Sequence, residues 1–105
     1  MTEEEELRKA ARRPVTLPAR CRTAGGMRDD AIMSDISAEG CCIATRSLHL
    51  NIGARVVLKP EGLEAVSGVV RWIAGQRVGI AFDTPLYGPI VDHLSERHKV
   101  GFAAR

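Results

Sequence analysis

From Val15 onward the chain alternates apolar and polar residues, and the alternation is interrupted at intervals by glycine or proline. Val15, Leu17, Ala19 and Cys21 alternate with Thr16, Pro18, Arg20 and Arg22. Period two is the signature of a half-buried strand, and the proline places this one at an edge or a bulge. Gly25-Gly26 forms the turn into a second strand over about 29–37, with Ile32 and Ile36 on one face and Met33, Asp35 and Ser37 on the other. Glu39-Gly40 turns the chain into a short third strand, Cys41 to Arg46, and 48–53 reads as a connection. A fourth strand, Ala54 to Lys59, turns Val56 and Leu58 inward and ends at Pro60-Glu61-Gly62. The fifth, about 64–73, presents Val66, Gly68, Val70 and Trp72 on one face; after Ala74-Gly75, Arg77 to Asp83 returns with Val78, Ile80 and Phe82 inward.

Past Pro85 the period changes. Ile90 and Leu94 stand one helical turn apart beside Val91, Pro89 suits a first helical position, and Gly101 suits a stop. Residues 1–13 carry no apolar periodicity, and helical Glu4/Arg8 and Glu5/Lys9 pairs contribute only about 0.2 to 0.5 kcal/mol each. They are therefore expected to form a flexible arm ahead of a domain spanning 14–105. The expected fold is mainly all-β: a small six-stranded antiparallel β-barrel, one C-terminal α-helix that covers an opening, and the N-terminal arm.

Composition sharpens this outline in three places. At 105 residues and 45% hydrophobic, the chain has material for one domain with one modest core. The formal net charge of +2 is small, yet Arg8, Lys9, Arg12, Arg13, Arg20, Arg22 and Arg28 fall in a stretch without an acidic residue. Such local basic charge suits a small anion better than DNA, RNA or a membrane surface. No apolar run approaches membrane-spanning length and the N-terminus is acidic, so a cytoplasmic protein without membrane insertion is expected. Three cysteines, two of them adjacent, make a poor disulfide framework and are expected to be reduced and mostly buried.

The candidate chemistry lies in Asp35-Ile36-Ser37-Ala38-Glu39-Gly40 and Arg8-Lys9-Ala10-Ala11-Arg12. A carboxylate and a hydroxyl two residues apart on a strand share a face and form an acceptor-rich floor. Gly40 can adopt the positive φ of a tight turn and leaves room for a ligand. Asp and Ser at a strand end also bond the local backbone, so a purely turn-forming role stands beside ligand contact. Two arginines add charge for phosphates and a bidentate fork for guanine O6 and N7. Together these groups suit a guanine nucleotide.

In order and spacing these residues resemble the PilZ domain, the bacterial receptor module for cyclic di-GMP. Its R-x-x-x-R and D-x-S-x-x-G elements match Arg8 to Arg12 and Asp35 to Gly40; Leu17-Pro18 and Val78-Gly79-Ile80-Ala81-Phe82 also resemble the family. The resemblance spans nearly the whole chain. It implies a six-stranded barrel holding cyclic di-GMP between arm and barrel. Arg8 and Arg12 would clamp phosphate and the guanine Hoogsteen edge, Asp35 and Ser37 would meet polar edges of guanine, and Gly40 would shape the turn. Arg13 would add charge, and Trp72 would either pack on a guanine at the outer face or belong to the core.

The function expected is a monomeric, stand-alone receptor without cofactor that relays ligand binding, through ordering of the arm, to an unidentified effector protein. Two other classes compete. A PilZ-like adaptor without nucleotide binding would not need intact motifs. An oligonucleotide-binding barrel would need more stacking platforms than 4% aromatic residues provide. His49, His93 and His98 lack metal-site spacing, and no nucleophile, base or carboxylate pair is marked out, so neither a metal site nor an enzyme is expected.

Overall fold

The computed structural model describes residues 12–46 and 49–98. Six strands appear: β1 (Arg13–Thr23), β2 (Arg28–Ile36), β3 (Gly40–Ala44), β4 (Arg55–Pro60), β5 (Val66–Ala74) and β6 (Arg77–Phe82). They close into an antiparallel barrel in the order β1-β2-β3-β6-β5-β4, followed by α1 (Gly88–Arg97). The expected barrel, strand count and terminal helix are present, with strand ends displaced by one or two residues.

The alternation in β1 is realised fully: Val15, Leu17, Ala19 and Cys21 are buried while Pro14, Thr16, Pro18 and Arg20 are exposed. Leu58, Val56, Val70, Val78 and Ile80 complete the interior as the pattern requires. Phe82 and Val66 pack on that core from partly exposed positions. The hairpin turns fall where glycine allows positive φ, 93° at Gly26 and 63° at Gly75.

Strand β2 departs from strict alternation. Ile32 and Ile36 do not share a face: Ile32 is 44% exposed, whereas Met33 and Ile36 are both fully buried. The cause is a β-bulge. Met33 pairs with Ile43 and Asp35 with Cys42, which leaves Ser34 as an extra residue on β2. The extra residue reverses the inside-outside phase, so the first half of β2 buries Ala31 and Met33 and the end buries Ile36. On the other side Pro14 pairs with Asp35 and Leu17 with Met33, so β1 bulges at the same level. A third irregularity lies between Val70 and Trp72 on β5.

Helix α1 closes one end of the barrel. Tyr87 caps it with extended backbone and Pro89 lies in its first turn, where no intrahelical N–H bond is lost. Val91 and Leu94 enter the barrel core. The His98 carbonyl accepts the Thr16 N–H at 2.9 Å, and the Leu86 N–H reaches the Ala38 carbonyl at 2.8 Å. The helix is thereby fixed at the end carrying the β2–β3 turn. Gly101, expected as the helix stop, lies outside the described residues.

Candidate functional site

The β2–β3 turn is built by Ser37. Its N–H donates to the Gly40 carbonyl at 2.8 Å, and its hydroxyl oxygen accepts the N–H groups of Glu39 and Gly40, each at 3.2 Å. Ser37 is fully buried. A hydroxyl at this position satisfies turn donors that no strand partner reaches. Carbonyls in the same turn accept from outside it: Glu39 from Phe82 N–H at 2.9 Å, Ala38 from Leu86 N–H. The turn is therefore tied to β6 and to the approach to α1.

Gly40 serves this turn for a different reason from the one expected. Positive φ among the described residues occurs at Gly26, Gly53, Gly62 and Gly75, and Gly40 is not among them. It begins β3 opposite Ala81, so close to β6 that a Cβ would overlap the Ile80 carbonyl oxygen. The position needs a missing side chain, not an unusual backbone angle.

Asp35 stands beside this turn. Its carboxylate lies 3.9 Å from the Arg12 guanidinium, and the two side chains are only 21% and 27% exposed. Asp35 Oδ1 and Arg12 Nε are both buried without a hydrogen-bond partner. Buried polar atoms nearly always find partners, so this pair is aligned but incompletely satisfied. Arg13 turns away to Asp92 on α1 at 2.8 Å, and its Nε is also without a partner. Arg8 lies outside the described residues.

The ladders extend the site sideways. Pro14 pairs with Asp35, Asp35 with Cys42, Cys42 with Gly79 and Gly79 with Trp72, a continuous row across five strands. Cys41, Ile43, Val78 and Ile80, the neighbours of this row along β3 and β6, all belong to the core cluster, so Cys42 and Gly79 face outward. The Trp72 indole occupies the space above Gly79 that a Cβ would need. Trp72 therefore lies on the outer face of the barrel, half-buried against a glycine, in the same row as Asp35. Its pairing with Gly79 was not read from the sequence. The signal was present: counted outward from the Gly75-Gln76 turn, Trp72 and Gly79 stand opposite each other, and the bulge beside Arg71 shifts the register only beyond them.

Arg12, a cation, stands beside Asp35, an acceptor, next to the turn held by Ser37 and Gly40, and Trp72, an aromatic face, lies three strands further along the same outward-facing row. Such a set can bind a planar, donor-bearing ring next to an anionic group. The PilZ domain family model matches residues 6–95. This chain belongs to the PilZ domain family. Among solved structures it is similar to the PilZ domain of CeSA from a cellulose-synthesizing bacterium, with 16% identity over 83% of this chain and 92% of that one, at a TM-score of 0.60. That likeness is one of fold. No curated protein matches the chain. PilZ domains form a cyclic di-GMP receptor family and act by binding and regulation, not by catalysis.

No helix among the described residues is long and apolar enough to cross a membrane. Among the described residues all three cysteines are free and buried.

Proposed function

We propose that this PilZ domain binds cyclic di-GMP at the Arg12–Asp35–Trp72 row and passes the signal to an effector protein. The observation that carries this reading is the Arg12–Asp35 pair, with Asp35 Oδ1 and Arg12 Nε both buried and unpartnered. A guanine edge has the N–H donors that Asp35 lacks, and phosphate or guanine O6 and N7 would take up the arginine N–H groups. Arg8, four residues before Arg12, would supply a second fork, and Arg13 further charge. Ser37 and Gly40 act chiefly by holding the turn in place, with Ser37 contributing shape and not an exposed hydroxyl.

Relay follows from where the arginines sit. Ligand that gathers Arg8 and Arg12 orders the chain ahead of β1, at a backbone cost of about 1 to 2 kcal/mol per residue fixed. Each bidentate arginine to guanine contact contributes roughly 1 to 3 kcal/mol, enough for a few residues and not for the whole segment. The ordered segment changes the surface available to the effector.

Calorimetry with cyclic di-GMP, GTP and single-stranded DNA tests the reading. Binding of cyclic di-GMP alone is expected, and Arg12→Ala should weaken it by roughly ten- to a hundredfold with unfolding unchanged. Equal affinity in Arg12→Ala overturns the site. Amide exchange tests the relay separately, because a ligand that binds without protecting residues near Arg8 to Arg13 rules out ordering.

A further inference from the structure

The arginines that the sequence groups between Arg12 and Arg28 are divided by the fold. Arg12 and Arg13 lie at the end of β1 that meets Asp35 and Asp92. Arg22 stands near the other end, roughly 30 Å away at about 3.3 Å per strand residue, and pairs directly with Arg28 on β2. The Thr23 N–H bonds to the Met27 carbonyl at 2.9 Å, which makes Arg22 and Arg28 a non-hydrogen-bonded pair, the kind whose side chains approach most closely. Both are exposed. Among the described residues neither has an ion-pair partner, whereas Arg20 meets Asp30 at 3.5 Å and Arg55 meets Asp83. Like charges directly opposite each other repel, and within the barrel nothing offsets this pair.

We propose that the Arg22–Arg28 pair anchors an acidic segment of a partner protein. A carboxylate laid across the two guanidinium groups accepts charge-assisted hydrogen bonds from both and removes their repulsion. The row continues from Arg22 to Val57 and from Val57 to Ser67. Val56 and Leu58 are buried, so Val57 faces outward, half-buried, as the floor of a groove of about 420 Å³ walled by Arg22, Arg55 and Ser67, among others. These three wall residues are exposed. A small-molecule site encloses most of its ligand, whereas an open groove across strands suits a polypeptide whose acidic group meets the arginines and whose aliphatic part rests on Val57. Nucleic acid suits it less, because two adjacent cations neutralise few phosphates and the row Arg28, Arg22, Val57, Ser67 carries no ring for stacking.

The rest of this chain does not readily supply the anion. Residues 47 and 48 are serine and leucine, and the charged side chains of 99–105 are Lys99 and Arg105. Glu3 to Glu6 precede Arg12 by six to nine residues, so at no more than about 3.6 Å per residue they would have to lie fully extended along the barrel to approach Arg22. The surface is separated from Arg12 and Asp35 by most of the length of β1, so the proposal does not rest on nucleotide binding.

The test uses isotope-labelled protein and a capped pentapeptide with three central glutamates, followed by amide resonances. Saturable shifts at Arg22, Arg28 and Val57 are expected, with affinity falling severalfold as salt is added. Arg22→Gln combined with Arg28→Gln should weaken binding about tenfold or more without lowering the urea midpoint, since the pair it removes is repulsive. Arg28→Gln alone, expected to weaken binding about fivefold, serves if the double variant does not fold. Equal binding in these variants overturns the proposal, as do shifts confined to the surroundings of Arg12 and Asp35. Tighter binding of single-stranded DNA of equal charge would make the surface a nucleic-acid face instead. Replacement of Glu3 to Glu6 by glutamine should leave peptide affinity unchanged; about tenfold tighter binding would assign the surface to the chain's own acidic run and overturn the external partner.

Discussion

Trp72 and Gly79 face each other across the β5–β6 ladder, and the indole fills the volume that a side chain at 79 would require. The aromatic face in the candidate site therefore depends on a residue that itself has nothing with which to contact a ligand. Gly79 sits between Val78 and Ile80, both pointing into the core, so the backbone of β6 cannot retreat to make room.

Gly79→Ala is accordingly expected to displace the indole. Overpacking of this kind costs roughly 1 to 3 kcal/mol. The chain has a single tryptophan, so its fluorescence reports the displacement directly. The expected result is a shifted emission maximum in a folded variant, with cyclic di-GMP affinity reduced. An unchanged spectrum would show that the indole accommodates the methyl group without moving.

Gly40→Ala tests a different constraint. The new Cβ would meet a backbone carbonyl, Ile80 O, which is held in the β3–β6 ladder. A loss of roughly 1 to 3 kcal/mol or more is expected in urea unfolding, because a backbone atom yields less readily than a side chain. Gly26→Ala is a useful contrast: nothing lies within 4 Å of its Cβ, and only its φ of 93° is at stake. Strain there should cost about 1 kcal/mol and leave the site untouched. Equal costs in the two variants would contradict the close-approach account.

These glycines mark where sequence reasoning stopped short. The six strands, the turns at Gly25-Gly26, Gly62 and Gly75, and the terminal helix were legible because alternation, turn residues and the change of period after Pro85 agree with each other. The bulge at Ser34 was not legible. Nothing in Ala31 to Ile36 distinguishes an extra residue from an ordinary strand, and one inserted residue moves Ile32 from the expected face to the exposed one. At the site, the acid, hydroxyl and arginine were identified as a set by their motif spacing. Spacing did not separate their roles: Ser37 is enclosed in the turn, while Asp35 retains a buried oxygen without a partner.

Ser37 and Asp35 should therefore respond differently to substitution. Ser37→Ala deprives two N–H groups of their acceptor and should cost roughly 1 to 3 kcal/mol of stability. Asp35→Asn keeps the shape and removes the charge; it should leave unfolding nearly unchanged and weaken cyclic di-GMP binding about tenfold or more. Parallel calorimetry and urea titrations separate the two effects. Loss of stability in Asp35→Asn with full binding would reverse their assignment.

Stability at alkaline pH gives the last prediction, through the buried thiols. Burial raises the Cys21 thiol from 9.0 to about 11, assisted by the nearby Asp29 carboxylate. Burial also pushes Cys41 well up, with Asp35 and Cys42 adding to the effect. Both groups bind protons more tightly in the folded chain than in the unfolded one. Above pH 9 the unfolded state releases these protons first, so the sign of the linkage is a loss of stability as pH rises. For Cys21 that contribution is complete below about pH 9 and disappears as pH approaches 11; a difference of this size corresponds to roughly 3 kcal/mol. Urea unfolding at pH 8, 9 and 10 should show a declining midpoint, and Cys21→Ala should flatten the decline even though it lowers stability at pH 8. If the slope is unchanged in that variant, Cys21 does not carry the alkaline transition.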